Sequence, residues 1–199
     1  EASVRKAYPG CYALTKVLEE TMLEQYGIQY GVNWSTLRAP WIMEKDDFRF
    51  ALDFGDEQFG GPPWTEIVDE ATLQRSRNGR YVPVLRDANG DYLKRNFVHV
   101  DDLVSAILAT IGNPRAHGQL FNISMDEPVD YGAGGRVLKA SNDLEPIEIK
   151  TPFHSNWLDN SKARMVLGWA PEVGLEELAD RAWRYEREVN DPRVVWYPG

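Results

Sequence analysis

Tyr12 and Lys16 lie four residues apart in a stretch where Leu14, Val17, Leu18 and Met22 recur at helical spacing. The pattern predicts a helix from Tyr12 to about Tyr26, ended by Gly27, with one side buried. A β-rich run from Tyr30 to Arg38 follows, and Pro40 closes it as a strand. Helix followed directly by strand is the rhythm of a layered α/β fold, and this constrains the chain more than any other local feature.

Tyr12 and Lys16 share a strip of surface, because positions four apart are neighbours on a helix. The spacing has a chemical meaning. A phenol titrates at about 10 in water, too high for easy proton exchange at neutral pH. A nearby ammonium favours the phenolate, so such a pair can serve as a general acid/base on a substrate hydroxyl. The same spacing also arises by accident, as a surface lysine beside a half-buried tyrosine.

The 199 residues suffice for one domain, or for a core with a small added lobe. With 31 acidic against 22 basic residues the net charge is −9, which opposes a nucleic-acid or anionic-membrane surface. No run is apolar and long enough to predict a membrane span, and Glu1 to Arg5 do not read as a signal peptide. The single cysteine, Cys11, permits no internal disulfide and fits a cytoplasmic protein; with no histidine near it, it reads as a small buried hydrophobe. His99, His117 and His154 lack metal-ligand spacing, so no metal is expected.

Further along, Trp41, Phe48, Phe50, Phe54, Phe59 and Trp64 interleave with six acids, against Lys45 and Arg49. Such a stretch either lines a pocket or is a loop tacked to the core by its aromatics, its acids in water. Residues 64–77 predict a helix. A hairpin is expected from Tyr81–Leu85 and Leu93–Val100 around Asn89-Gly90, with Arg95, Phe97 and His99 on one side of its second arm. Asp101 reads as the N-cap of a helix from Asp102 to Ile111. Then come a strand at 119–124, a glycine-weakened helix at 131–140 and a strand at 145–150. A helix capped by Asp159 or Asn160 is closed by Gly168, and an amphipathic helix spans Leu175 to Val189. The tail to Gly199, with Trp196 and Tyr197, is expected to dock.

Four segments in this order resemble the C-terminal part of an extended short-chain dehydrogenase/reductase of the NAD-dependent epimerase/dehydratase family. They are Tyr12-Ala-Leu-Thr-Lys16, Leu37-Arg-Ala-Pro40, Arg95-Asn-Phe-Val-His-Val-Asp-Asp-Leu103, and Asp159-Asn-Ser-Lys-Ala163 with Leu167-Gly-Trp-Ala-Pro171. The resemblance implies a partial Rossmann-like, doubly wound parallel layer (1–40 and 101–124) plus a small α+β substrate lobe (41–100 and 125–199). It implies Tyr12 as acid/base during hydride transfer, and Lys16 as its activator and as a holder of the nicotinamide ribose. Pro40 would lie at the nicotinamide of NAD or NADP, with Trp41 and Arg95 at the substrate. It further implies a sugar-like or otherwise hydroxylated small molecule as substrate, and a homodimer.

Two departures qualify the resemblance. The glycine-rich phosphate turn that opens the family's fold is missing, since Gly132-Ala-Gly-Gly135 has the wrong spacing and comes too late. The expected catalytic Ser/Thr upstream of Tyr12 is missing too, Ser3 being too close. The chain therefore reads as the second half of an enzyme. The competing reading is a non-catalytic remnant that acts by binding or association. The net negative charge of residues 41–64 favours a substrate without a diphosphate.

Overall fold

The computed structural model describes residues 11–55 and 63–193. The expected N-terminal loop with Ser3, the Gly60-Gly61-Pro62 end of the aromatic stretch and the Trp196–Tyr197 tail lie outside these residues.

Helix α1 (Cys11–Tyr30) runs four residues further than its sequence pattern suggests. Gly27 does not end it. A Cβ there would fall 2.5 Å from Trp34 Nε1, so Gly27 allows Trp34 to pack against the helix. Gly31 ends it instead, with φ at +65°, donating its N–H to the Gly27 carbonyl at 3.0 Å. The expected buried side is also corrected: Leu14, Leu18 and Met22 are about half exposed, and the one buried residue of α1 is Glu20. Periodicity marks which side is apolar, but among the described residues no layer covers it. Cys11, expected to be buried, is exposed.

The chain then forms β1 (Ser35–Arg38), β2 (Trp41–Met43), α2 (Asp47–Ala51), α3 (Trp64–Ile67) and α4 (Glu70–Arg77). The helix expected at 64–77 is split because Val68 and Asp69 are extended and Asp69 caps α4, accepting from Thr72 N at 2.9 Å. Next are β3 (Tyr81–Arg86), β4 (Lys94–Arg95), β5 (Phe97–His99), α5 (Val100–Thr110), β6 (Gln119–Asn122), β7 (Val129–Asp130), α6 (Tyr131–Asn142), β8 (Glu145–Lys150), α7 (Ser161–Leu167) and α8 (Leu175–Arg184). The last helix ends five residues early.

Strand pairing is mostly parallel: β1 with β6, β2 with β5 and β3 with β8, while β4 and β7 run antiparallel. The hairpin survives only at its turn, where Arg86 bridges Tyr92 and Leu93 donates to Leu85. Beyond it the second arm leaves β3. Lys94 and Arg95 join β7, and Phe97 to His99 join β2. A parallel pair is buried on both faces, so Phe97 and Val98 are both buried and belong to different cores. Phe97 and Val98 thus face opposite sides, as the alternation of this arm expects, but both sides are covered.

Two apolar clusters result. One joins Met43, Phe48, Phe54, Trp64, Phe97, Leu138, Ile147 and Leu178; the other joins Val98, Ala106, Phe121, Ile123, Ala163, Leu167 and Trp169. Gly132 and Gly135 let α6 lie close on the first, because Cβ atoms there would meet Tyr92 and Val84 at 2.5 Å. They serve packing, and the α6 N-terminus is already capped by Asp130, which accepts from Ala133 N at 2.9 Å.

Candidate active site

Tyr12 sits in the first turn of α1, 47 % exposed, with Lys16 Nζ 5.4 Å from its ring centroid. Helical spacing alone brings the two together. Thr15 Oγ1 donates to the Tyr12 carbonyl at 2.7 Å, supplying a local tie in this turn. Lys16 Nζ also lies 3.2 Å from both carboxylate oxygens of Glu19.

One turn on from Lys16, Glu20 takes a bidentate grip on Arg38, with Nε to Oε1 at 2.7 Å and Nη2 to Oε2 at 2.8 Å. Arg38 is the last residue of β1, and Ala39-Pro40 leads from it directly into β2. Pro40 thus lies at the carboxyl end of β1, where open α/β sheets take their ligands.

Trp41 and Arg95 meet across β2 and the β4–β5 segment. The Arg95 guanidinium lies 5.0 Å from the Trp41 ring and 5.0 Å from that of Phe153. Among the described residues no carboxylate or carbonyl bonds Arg95. Tyr131 nearby is buried; burial raises its phenol pKa, and the Arg95 charge opposes that shift. A planar guanidinium flanked by rings and free of an acid partner is arranged to meet an anion from outside.

Phe153 was not legible as a site residue. It arrives on an irregular segment held by amides: Asn96 Oδ1 accepts from Leu158 N at 2.9 Å, its Nδ2 donates to the Asn156 carbonyl at 3.1 Å, and Ser155 Oγ donates to Asp87 at 2.8 Å. The buried Asn96 inside a strand-like run was the available signal.

The aromatic stretch after β2 is tacked to the core through Phe48, Phe54 and Trp64. Its acids are not simply solvated. Asp46 receives Arg187 Nε at 2.8 Å, Asp47 receives Arg193 Nη1 at 2.6 Å, and Lys45 Nζ pairs with Asp191 at 2.8 Å. Arg187 and Arg193 offset Asp46 and Asp47, two of the six acids of the stretch, while Asp191 offsets Lys45, so the charge of residues 41–64 read alone overstates the local negative field. Among the described residues no cluster of acids, histidines or cysteine has the arrangement to hold a metal ion, and no helix is long and apolar enough to cross a membrane.

Solved structures share this architecture. A short-chain dehydrogenase/reductase superfamily protein from Agrobacterium tumefaciens, with bound NAD, matches with a TM-score of 0.70 at 19 % identity, over 88 % of this chain and 57 % of that one. A UDP-glucuronic acid 4-epimerase from Bacillus cereus, in complex with NAD, matches with a TM-score of 0.64 at 16 % identity, over 92 % and 53 %. The fold is thus the Rossmann-like fold of the short-chain dehydrogenases/reductases. No family model matches the chain. In sequence it is 31 % identical over 174 residues to a UDP-glucose 4-epimerase of Mycolicibacterium smegmatis, covering 83 % of this chain and 49 % of that protein. It is 29 % identical over 163 residues to the chloroplast stem-loop binding protein of 41 kDa b of Arabidopsis thaliana, covering 74 % and 38 %. Over most of its length the chain is similar to NAD-dependent epimerases and related extended short-chain dehydrogenases/reductases, and it spans about half the length or less of these curated relatives.

Proposed function

We propose that these residues form the catalytic-helix and substrate half of an NAD(P)-dependent oxidoreductase, epimerase or dehydratase acting on a hydroxylated small molecule that carries an anionic group. The observation that carries this reading is the Tyr12–Lys16 pair, its ammonium 5.4 Å from the phenol ring on an exposed strip of α1. Arg95, stacked on Trp41 and Phe153 and met by no carboxylate among the described residues, supports the anionic group, such as the diphosphate of a sugar nucleotide.

The residues fit one end of the cofactor. Lys16 has the donors to hold ribose hydroxyls, and Pro40 stands at the carboxyl end of β1 for the nicotinamide. No glycine-rich turn among the described residues cradles a pyrophosphate, so that function falls to a segment outside them. A bound nicotinamide supplies the hydride acceptor. Tyr12 Oη takes the proton of the substrate hydroxyl, Lys16 stands beside it on the same strip of α1, and Arg95 and Trp41 fix the substrate. We assign residues 1–40 and 101–124 to the dinucleotide-binding part and the remainder to the substrate lobe. Ala163, Leu167 and Trp169 pack with Val98 and Phe121 in the smaller core, so that stretch bridges the two parts.

A second reading has its own observation. Leu14, Leu18 and Met22 present an uncovered apolar strip on α1, which suits association of two copies whether or not the site is active. The net charge of −9 argues against nucleic acid as the partner. The single cysteine suits a reducing cytoplasm.

Calorimetric titration tests the first reading. The full-length protein is expected to bind NAD or NADP and to turn over a sugar nucleotide such as UDP-glucose, and Tyr12→Phe to keep binding and lose turnover. A folded full-length protein that binds neither nucleotide would overturn it in favour of association alone.

A further inference from the structure

We infer that Glu20 and Arg38 form a positioning pair that turns the Tyr12–Lys16 strip of α1 toward the carboxyl end of β1, an inference that rests on the oxidoreductase reading above. Three observations converge. Glu20 is the single buried residue of a helix twenty residues long, 8 % exposed, while the apolar side chains of that helix stand open. A carboxylate is an expensive group to bury, and here it is satisfied by both arms of one guanidinium, at 2.7 and 2.8 Å. And Arg38 is the final residue of β1, two positions before Pro40.

Helical geometry gives the pair its consequence. Glu20 follows Tyr12 by eight residues, about 12 Å along the axis and about 80° around it, with Lys16 midway. All three therefore lie on one slowly turning strip. Anchoring Glu20 to the end of β1 sets both the rotation of α1 and the position of Tyr12 along the helix axis relative to that strand end. The bidentate geometry matters, because two parallel hydrogen bonds fix orientation as well as distance, and a single contact would leave the helix free to roll. The apolar strip provides no such register among the described residues. Gly27 against Trp34 fixes only the far end of the helix. Neither Glu20 nor Arg38 touches the reacting atoms in this scheme; they act through Tyr12 and Lys16.

The test uses the full-length protein with NAD and UDP-glucose, comparing wild type, Glu20→Gln, Arg38→Lys and the charge-reversed double variant E20R/R38E. Glu20→Gln keeps the side chain's shape and loses the charged, bidentate grip. We expect its kcat, corrected for folded fraction, to fall by about 10- to 100-fold with KM for UDP-glucose nearly unchanged, as suits a displaced proton-transfer group. The pH dependence of kcat should move, and the double variant should recover part of the loss. A purely structural ion pair would lower the melting temperature and leave kcat and its pH profile alone, and that result would overturn the inference.

A second arm does not depend on turnover. Amide hydrogen exchange across residues 11–19 should be faster in Glu20→Gln than in wild type and slow again in the double variant. If wild type shows no turnover, the oxidoreductase reading with this probe fails, and the exchange arm alone decides the pair: unchanged exchange in Glu20→Gln rejects it, and loosened exchange retains it as the anchor of α1.

Discussion

Arg187 Nε donates to Asp46 Oδ1 at 2.8 Å, a pairing that joins residues 141 positions apart. Burial opposes the charged form of Asp46, but hydrogen bonds from Arg187 and Arg193 outweigh it and hold the carboxyl below its ordinary 3.8. The folded value lies below the unfolded one, so the contribution is complete above about pH 5 and is lost as pH falls through the folded value. Asp46→Asn should therefore be less stable than wild type at neutral pH and show a flatter acid limb below about pH 4. Urea midpoints measured from pH 7 down to pH 3 check this; parallel curves would refute it.

His99 offers a second titration of the same sign. It caps α5 in place of the expected Asp101, its Nδ1 accepting the Asp101 N–H at 3.2 Å, which requires a neutral ring at that atom. Burial lowers its pKa most; Asp101, Asp102 and Glu177 pull it back up, and Arg181 pushes it further down. Stability from the cap is present above the ordinary 6.5 and is lost as pH falls from there through the lowered folded value. Replacing His99 with Asn, which caps without titrating, should remove that slope from the unfolding curve.

Asp102 ties α5 to the chain ahead of α8. Its two carboxylate oxygens accept from Glu172 N at 2.9 Å and Val173 N at 3.1 Å, and its carbonyl accepts from Trp169 Nε1 at 3.1 Å. Asp102→Ala leaves two amides without these acceptors and should cost about 3 kcal/mol in chemical denaturation. A change within experimental error would show that solvent replaces the carboxylate.

The α6–β3 contact tolerates no added methyl at Gly135, where a Cβ would sit 2.5 Å from Val84 Cγ2. Gly135→Ala gains helix propensity but overpacks a buried valine, so the net change should be a destabilisation of about 1–3 kcal/mol. Thermal unfolding decides the sign.

Removing either ring beside Arg95 loosens its guanidinium. On the proposed function, Phe153→Ala and Trp41→Ala in the full-length protein should each raise KM for a sugar nucleotide such as UDP-glucose by between about twofold and thirtyfold, the range a cation–π contact spans. Little change in kcat is expected. An unaltered KM would remove Arg95 from the substrate site.

Local patterns carried far. The α1 helix, the β8 strand, the α7 helix with Gly168 at its end and the Tyr12–Lys16 contact follow from spacing and caps that neighbours in sequence supply. Phe153 against Arg95, Arg187 on Asp46 and the split of the arm after Asn89-Gly90 among two strand partners did not. Each depends on segments that meet only after folding. The acidic stretch after β2 is the clearest case, since sequence weighs its charges alone and cannot see arginines more than a hundred residues later.

By itself the sequence determined the alternation of helices and strands, the side of each helix that is apolar and the strip that holds Tyr12 with Lys16, because periodicity and four-residue neighbours are fixed by backbone geometry. Tertiary structure decided which apolar sides were covered, which strands paired and which charges were cancelled. Those outcomes turn on contacts between distant segments, and for α1 the result was that a carboxylate, Glu20, became the buried anchor while its leucines stayed open.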